Sequence, residues 1–216
     1  MNLSELRTAT RNLLNEEVPG FWSDAQLNSY INLGVLRVNS IISGIREDFF
    51  TVSATFVMTA GTSLYALPSD CRFVRRIEIY DPTDPNSIIK IDEMKFPRLE
   101  ANGDWLFTQN AQPKKFVLIN NQMRFLPIPD STYNIRIYYD ARPVTLADDA
   151  DAPTAPEDFH DLIVFWACIL AKKQNEDDDA GFGTLFNIRK SELIETLTRR
   201  GGEDSLPVEA YLQGII

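Results

Sequence analysis

The chain has little of what most catalytic and metal-binding sites require. Its 216 residues include one histidine and two cysteines, and these residues do not have the spacing of a zinc site. His160 has neither a second histidine nor a nucleophile motif nearby, so we interpret it as a structural side chain rather than a general base. The sequence therefore predicts no catalytic residue, no cofactor and no metal site.

Long hydrophobic runs and a leader are also missing. The longest apolar stretch, Leu162 to Ala171, has ten residues, whereas a membrane-spanning helix needs about 20. The first residues lack the apolar segment of a signal peptide. Cys71 and Cys168 are weak evidence for a disulfide in a chain of this length, so we expect folding in a reducing cytoplasm and no contact with a membrane.

Basic residues are too few to balance the acidic ones. Lys and Arg number 21 against 31 Asp and Glu, which gives a formal net charge of −10 and argues against a protein that coats a nucleic-acid duplex. Residues 140–216 alone carry 7 basic and 16 acidic side chains, a net charge of −9. Such runs are typical of solvated turns, and the alternative is a field directed at a partner or a channel.

The clearest helix start lies near residue 23. Ser23 to Gln26 has the spacing of a capping box, and Trp22 and Leu27 have the positions of a hydrophobic staple. An apolar stripe of helical period then continues to Ile45. We predict a long amphipathic helix from this pattern.

Three further helices are predicted. One is capped by Ser4 and ends at Pro19-Gly20, because proline removes a backbone donor. Another is apolar on every side and follows Thr154 and Glu157, which repeat the capping-box spacing. The last ends near Arg199, before two glycines.

Between the second and third helices the apolar period changes from about 3.6 to two residues. The runs are rich in Val, Ile, Thr, Phe and Tyr, which predicts strands, and Asn120-Asn121 between two of them predicts a hairpin turn. The predicted strands are Phe50–Met58, Ser63–Ala66, Arg72–Tyr80, Ser87–Ile91, Lys115–Ile119, Gln122–Leu126 and Asn134–Tyr139.

The order of elements predicts an α+β fold. We expect a four-helix bundle with a mainly antiparallel β domain inserted between helices 2 and 3, plus an extended C-terminal tail, because neither helical pair buries much surface alone. The expected domains are residues 1–48 and 143–200 for the two halves of the bundle, 49–142 for the inserted β domain, and 201–216 for the C-terminal arm.

Three motifs in series resemble a known family. They are Phe21-Trp22-Ser23-Asp24-Ala25-Gln26-Leu27, Gly61-Thr62-Ser63-Leu64-Tyr65-Ala66-Leu67-Pro68-Ser69-Asp70, and Pro156-Glu157-Asp158-Phe159-His160-Asp161-Leu162-Ile163. In this order they resemble the head-to-tail connector, or adaptor, proteins of tailed bacteriophages. Each motif is short, so the resemblance lies in their series and spacing over most of residues 1–200.

The resemblance implies a structural virion protein rather than an enzyme. Such a protein, made in the host cytoplasm, would form a ring of twelve copies at the neck of the virion. The ring would bind the portal protein and tail or nozzle proteins, and genomic DNA would pass through it without sequence-specific contact. Similar family members grip the portal or a neighbouring subunit with a C-terminal segment. Here the partner-binding residues would be Leu206, Val208, Tyr211, Leu212, Ile215 and Ile216.

The acidic residues gain a second interpretation from the resemblance, because a negative channel wall repels phosphates and lets DNA slide. The candidate channel-facing residues are Asp148, Asp149, Asp151, Asp177, Asp178 and Asp179.

Two other function classes stay open. One is another virion component, such as a tail-completion protein. The other is a phage-encoded hydrolase that uses acidic clusters, or a small-molecule binding module, and a pocket collecting carboxylates with His160 would favour it.

Overall fold

The computed structural model describes residues 1–16, 20–95, 109–174 and 181–200. The chain divides into two compact units. The first takes Met1–Phe49 and Pro143–Ile216, and the second takes Phe50–Arg142. The first unit is therefore discontinuous in sequence.

Four α-helices lie in the described part of the first unit. They are α1 (Leu3–Leu13), α2 (Asp24–Ile45), α3 (His160–Gln174) and α4 (Phe182–Arg200), and a 3₁₀ turn at Glu157–Phe159 precedes α3.

The start of α2 follows the sequence prediction. The Gln26 backbone N–H donates to the Ser23 hydroxyl at 3.3 Å, and the Ser23 N–H donates to the Gln26 side chain at 3.1 Å. Trp22 is buried in one cluster with Leu27. The capping box and the hydrophobic staple are both confirmed.

Two other helix starts differ from the prediction. Asn2, rather than Ser4, caps α1, because the residue three positions after Asn2 is Glu5, which completes a capping box. Pro156 occupies the cap position of the 3₁₀ turn and makes no side-chain capping bond. The predicted capping box at Thr154 is therefore wrong.

The helices do not form the predicted four-helix bundle, although the chain is mixed α and β. In such a bundle each helix contributes one apolar stripe to a shared core. Here α3 has buried side chains on all sides and packs against α1, α2 and α4. The bundle prediction failed because an all-apolar helix lies inside a group of helices rather than beside a shared core.

The described residues of the second unit form one curled sheet of seven strands. Its spatial order is β1-β7-β3-β4-β5-β6-β2. β4 and β5 are parallel, whereas the other neighbouring strands are antiparallel. The strands are β1 (Thr51–Met58), β2 (Leu64–Ala66), β3 (Cys71–Asp81), β4 (Asp84–Glu93), β5 (Lys115–Ile119), β6 (Gln122–Leu126) and β7 (Tyr133–Ala141).

The concave side of this sheet holds the core of the second unit. Ile77, Phe125 and Ile135 are fully buried there. The edge strands β1 and β2 approach each other through Phe56 and Tyr65, whose ring centroids are 5.3 Å apart. The predicted hairpin between β5 and β6 is confirmed, because Ile119 pairs with Gln122 and Asn120 has a φ of 54°.

The backbones of α2 and α3 come close together at Gly34. A Cβ atom added there would lie 2.9 Å from the backbone oxygen of Ile163 and 3.1 Å from its Cγ2. A methyl group does not fit at these distances, so Gly34 sets the spacing of the two helices.

Gly34→Ala is expected to lower the free energy of unfolding by about 1–3 kcal/mol, because the backbone of α3 must move to admit the methyl group. Chemical denaturation of the purified chain measures this. Gly44→Ala in the same helix is the matched control, because nothing lies within 4 Å of its added Cβ. The control should be neutral or stabilising, and equal effects of the two substitutions would contradict the packing argument.

Candidate functional site

The first of the three motifs is organised by a buried arginine of α1. Arg11 is 6% exposed, and its Nη2 donates to the Trp22 carbonyl oxygen at 2.9 Å and to Asp24 Oδ1 at 2.6 Å. These bonds hold the pKa of Asp24 below its ordinary value. The arginine thus fixes the turn that leads into α2. Sequence analysis missed Arg11, because no local pattern marks it as buried.

Glu16 completes the same turn. Burial opposes ionisation of its carboxyl, but backbone N–H bonds from Trp22, Phe21 and Gly20 outweigh this effect and lower its pKa. Arg11 Nη1 lies 3.6 Å from Glu16 Oε2. The first motif is therefore part of a structural turn, in which the carboxylates of Asp24 and Glu16 are paired with Arg7 and Arg11.

The acidic loop before α3 is attached to the start of α1. Arg7 of α1 forms an ion pair with Asp149, and backbone N–H groups in the first turn of α1 donate to carbonyl oxygens of the loop. The Asp151 carboxylate accepts N–H bonds from Ala147 and Asp148 at 2.8 and 2.9 Å, which lower its pKa. The side chains of Asp148 and Asp149 are exposed and that of Asp151 is half-buried.

The remaining predicted site residues lie outside the described part of the chain. They are Asp177, Asp178 and Asp179 of the acidic group, and Leu206, Val208, Tyr211, Leu212, Ile215 and Ile216 of the C-terminal arm.

The outer face of the sheet carries two buried carboxylates paired with arginines. Glu78 is 1% exposed, and Arg76 Nη2 and Arg136 Nη1 lie 2.8 and 3.3 Å from its two carboxylate oxygens. Asp140 is also buried, and Arg75 Nε donates to it at 3.0 Å. A buried carboxylate requires such partners. The three arginines therefore stabilise the two carboxylates in their buried positions on the sheet.

His160, the first residue of α3, has hydrogen-bond partners at Ala155 and at Met1. Its Nε2 lies 3.0 Å from the carbonyl oxygen of Ala155, which only accepts, so this nitrogen carries the proton. Its Nδ1 then accepts from the Met1 amino group at 2.9 Å. Burial lowers the pKa of His160. Both ring nitrogens have partners, so neither is available as a base.

Two clefts in the described structure lack the composition of a hydrolase site. The volumes are about 350 Å³ in the second unit and about 320 Å³ in the first. Each is lined by a single carboxylate, Asp81 or Asp161, and His160 lines neither. No group of three His, Cys, Asp or Glu side chains within the described ranges could hold a metal ion.

A comparison with known protein families identifies the family of this chain. A model of the SU10 adaptor protein family matches residues 1–208 and so covers all three motifs. The chain belongs to the SU10 adaptor protein family. This assignment confirms the resemblance to phage adaptors. The SU10 adaptor family is a family of structural phage proteins and not a class of enzymes. No curated protein sequence matches the chain.

Membership of the SU10 adaptor family implies association with other virion proteins. Over the described ranges, no helix combines the length and apolar character needed to cross a membrane.

The buried histidine predicts a pH dependence of stability. Its folded pKa is lowered, so the unfolded chain takes up a proton at a higher pH than the folded chain does. The free energy of unfolding should therefore be constant near pH 7.5 and fall as the pH drops below about 6.5, the ordinary histidine pKa. Chemical denaturation between pH 7.5 and 5.5 measures the fall, and His160→Gln should remove it.

The chain has one histidine, so its Cε1 proton gives a single NMR titration. A folded pKa at or above 6.5 would contradict the assignment of a neutral, buried ring.

Proposed function

We propose that the chain is a subunit of a ring, a dodecamer, that joins the portal of a tailed bacteriophage to its tail. The observation that carries this proposal is the family match over residues 1–208. In the proposed arrangement the portal protein lies above the ring and tail or nozzle proteins lie below it. Genomic DNA passes through the central channel without sequence-specific contact.

The net negative charge of the chain lies in its first unit. That unit carries 10 basic and 21 acidic side chains, a net charge of −11, and the second unit carries 11 and 10, a net charge of +1. The acidic residues proposed to face the channel all belong to the first unit.

The acidic residues proposed to face the channel include Asp148, Asp149 and Asp151. Their loop is held in place by Arg7 and by backbone hydrogen bonds, so it presents its negative charge in a fixed position. Phosphates are repelled by such a wall, which favours sliding. Asp177, Asp178 and Asp179 belong to the same proposal.

A reconstruction of the assembled ring tests this placement. We expect Asp148 and Asp149 on the wall that lines the channel. If their loop lies on the outer surface, the channel role is wrong, whereas the ring itself is judged separately by the number of copies in the reconstruction.

The C-terminal arm is the proposed anchor to the portal or to a neighbouring subunit. Its apolar residues follow two glycines and have no long amphipathic pattern of their own, so a partner surface is the expected place for them. The anchoring residues are Leu206, Val208, Tyr211, Leu212, Ile215 and Ile216.

Deletion of residues 203–216 should abolish binding to the portal and leave the fold intact, because every described helix and strand ends by residue 200. Size-exclusion chromatography of the truncated chain mixed with portal measures binding, and circular dichroism checks the fold. The full-length chain is the control. Undiminished assembly of the truncated chain would show that the arm is not the anchor.

A further inference from the structure

The α2–α4 surface holds two basic side chains, partly buried Arg37 and largely buried Lys190, which have no anionic partner among the described residues. The Arg37 guanidinium lies over the Trp166 ring, 5.2 Å from its centroid, and Arg37 Nε is buried without a hydrogen-bond partner. Lys190 of α4 is 8% exposed. Within the described ranges no carboxylate is paired with either head group, although this unit has a net charge of −11.

Burial makes this pair of cations unfavourable as it stands. Desolvation and the nearby positive charge of Arg37 both lower the pKa of Lys190. A buried charge is ordinarily paired, and a carboxylate placed between the two head groups would balance both of them. The chemistry of the site therefore fits a carboxylate.

Apolar side chains lie beside the cations. Leu33 and Leu36 are 46% and 53% exposed, and on a helix Leu33 lies next to both Leu36 and Arg37. Trp166 packs on Phe186 of α4, with ring centroids 5.2 Å apart. The surface thus fits a segment that has apolar residues on both sides of a carboxylate.

The C-terminal arm has this composition. Residues 201–216 contain three acidic residues and no basic one. Glu209 is the acidic residue within the apolar part, and the apolar residues around it are Leu206, Val208, Tyr211 and Leu212.

The arm is also long enough to reach the site. Lys190 precedes the end of α4 at Arg200 by ten residues, which is about 15 Å along a helix. The nine residues from Arg200 to Glu209 span up to about 30 Å when extended. A turn at Gly201-Gly202 is compatible with the return of the chain along α4.

We propose that residues 206–212 of the arm bind the α2–α4 surface of their own chain, with the Glu209 carboxylate between Arg37 and Lys190. In the free chain this contact covers the apolar residues of the arm, and binding to an assembly partner must release them. The contact forms within the isolated chain, so its experimental test does not depend on whether the arm binds the portal.

Disulfide trapping in the full-length chain tests the contact. Leu36→Cys is combined with Val208→Cys, and the two native cysteines do not compete because both are buried. Mild oxidation should give an intrachain disulfide, seen as a mobility shift of the monomer on a non-reducing gel and confirmed by mass spectrometry. Val57→Cys replaces Leu36→Cys in the matched control, because Val57 is equally exposed at 55% but lies on β1.

Charge variants then test the carboxylate. Lys190→Met should slow formation of the disulfide about tenfold, because it removes a charged hydrogen-bond donor from the bound state. Glu209→Gln should slow it at least as much, because it also removes the partner of Arg37, and the combined effect of the two substitutions should be smaller than the product of the single effects. Lys173→Met, at an exposed position of α3, is the control and should leave the rate unchanged.

Three outcomes would overturn the proposal. The first is equal trapping of the Leu36 and Val57 cysteines. The second is a disulfide formed only between chains, which would assign the surface to the arm of a second copy. The third is an unchanged rate in Lys190→Met while thermal unfolding shows that this variant is folded. None of these outcomes bears on the truncation experiment, which measures binding to the portal.

Discussion

A helix that is apolar on every side must be enclosed by other protein, and α3 imposes this requirement on the first unit. The helices that pack against α3 come from two separate parts of the chain, because α1 and α2 precede the inserted sheet in sequence and α4 follows it. The chain must therefore return to the first two helices after residue 142. Gly34 completes the arrangement by allowing the backbone of α2 to touch that of α3. The discontinuous unit is a direct result of burying one helix.

Local signals were predictable from the sequence where all their parts lie within a few residues. The start of α2 was predicted because cap, acceptor and staple fall between Trp22 and Leu27. The cap of α1 was predicted two residues too late, because Ser4 and Asn2 both carry an oxygen that can cap a helix. Only Asn2 has a glutamate three positions later, whereas Ser4 has Arg7. The arrangement of helices was mispredicted, because a periodic pattern shows which side of a helix is apolar and not which helix covers it.

The site chemistry depends on contacts between distant residues, and these have no local signature. Arg7 and Asp149 are 142 positions apart, and Glu78 and Arg136 are 58 apart. Each of these residues alone resembles an ordinary surface charge. The family assignment was accessible from sequence for the opposite reason. Its three motifs are short local caps and turns, and their fixed order made the resemblance specific.

The sheet enters and leaves the chain through adjacent strands. Thr51 at the start of β1 is paired with Asp140 near the end of β7, and paired Cα atoms of antiparallel strands lie about 5 Å apart. The chain on either side of the sheet thus spans little more than the gap that one short turn can close. A change in the number or length of the strands between these two points leaves the distance between the ends of the insertion unchanged, so it need not disturb the contact between α2 and α3.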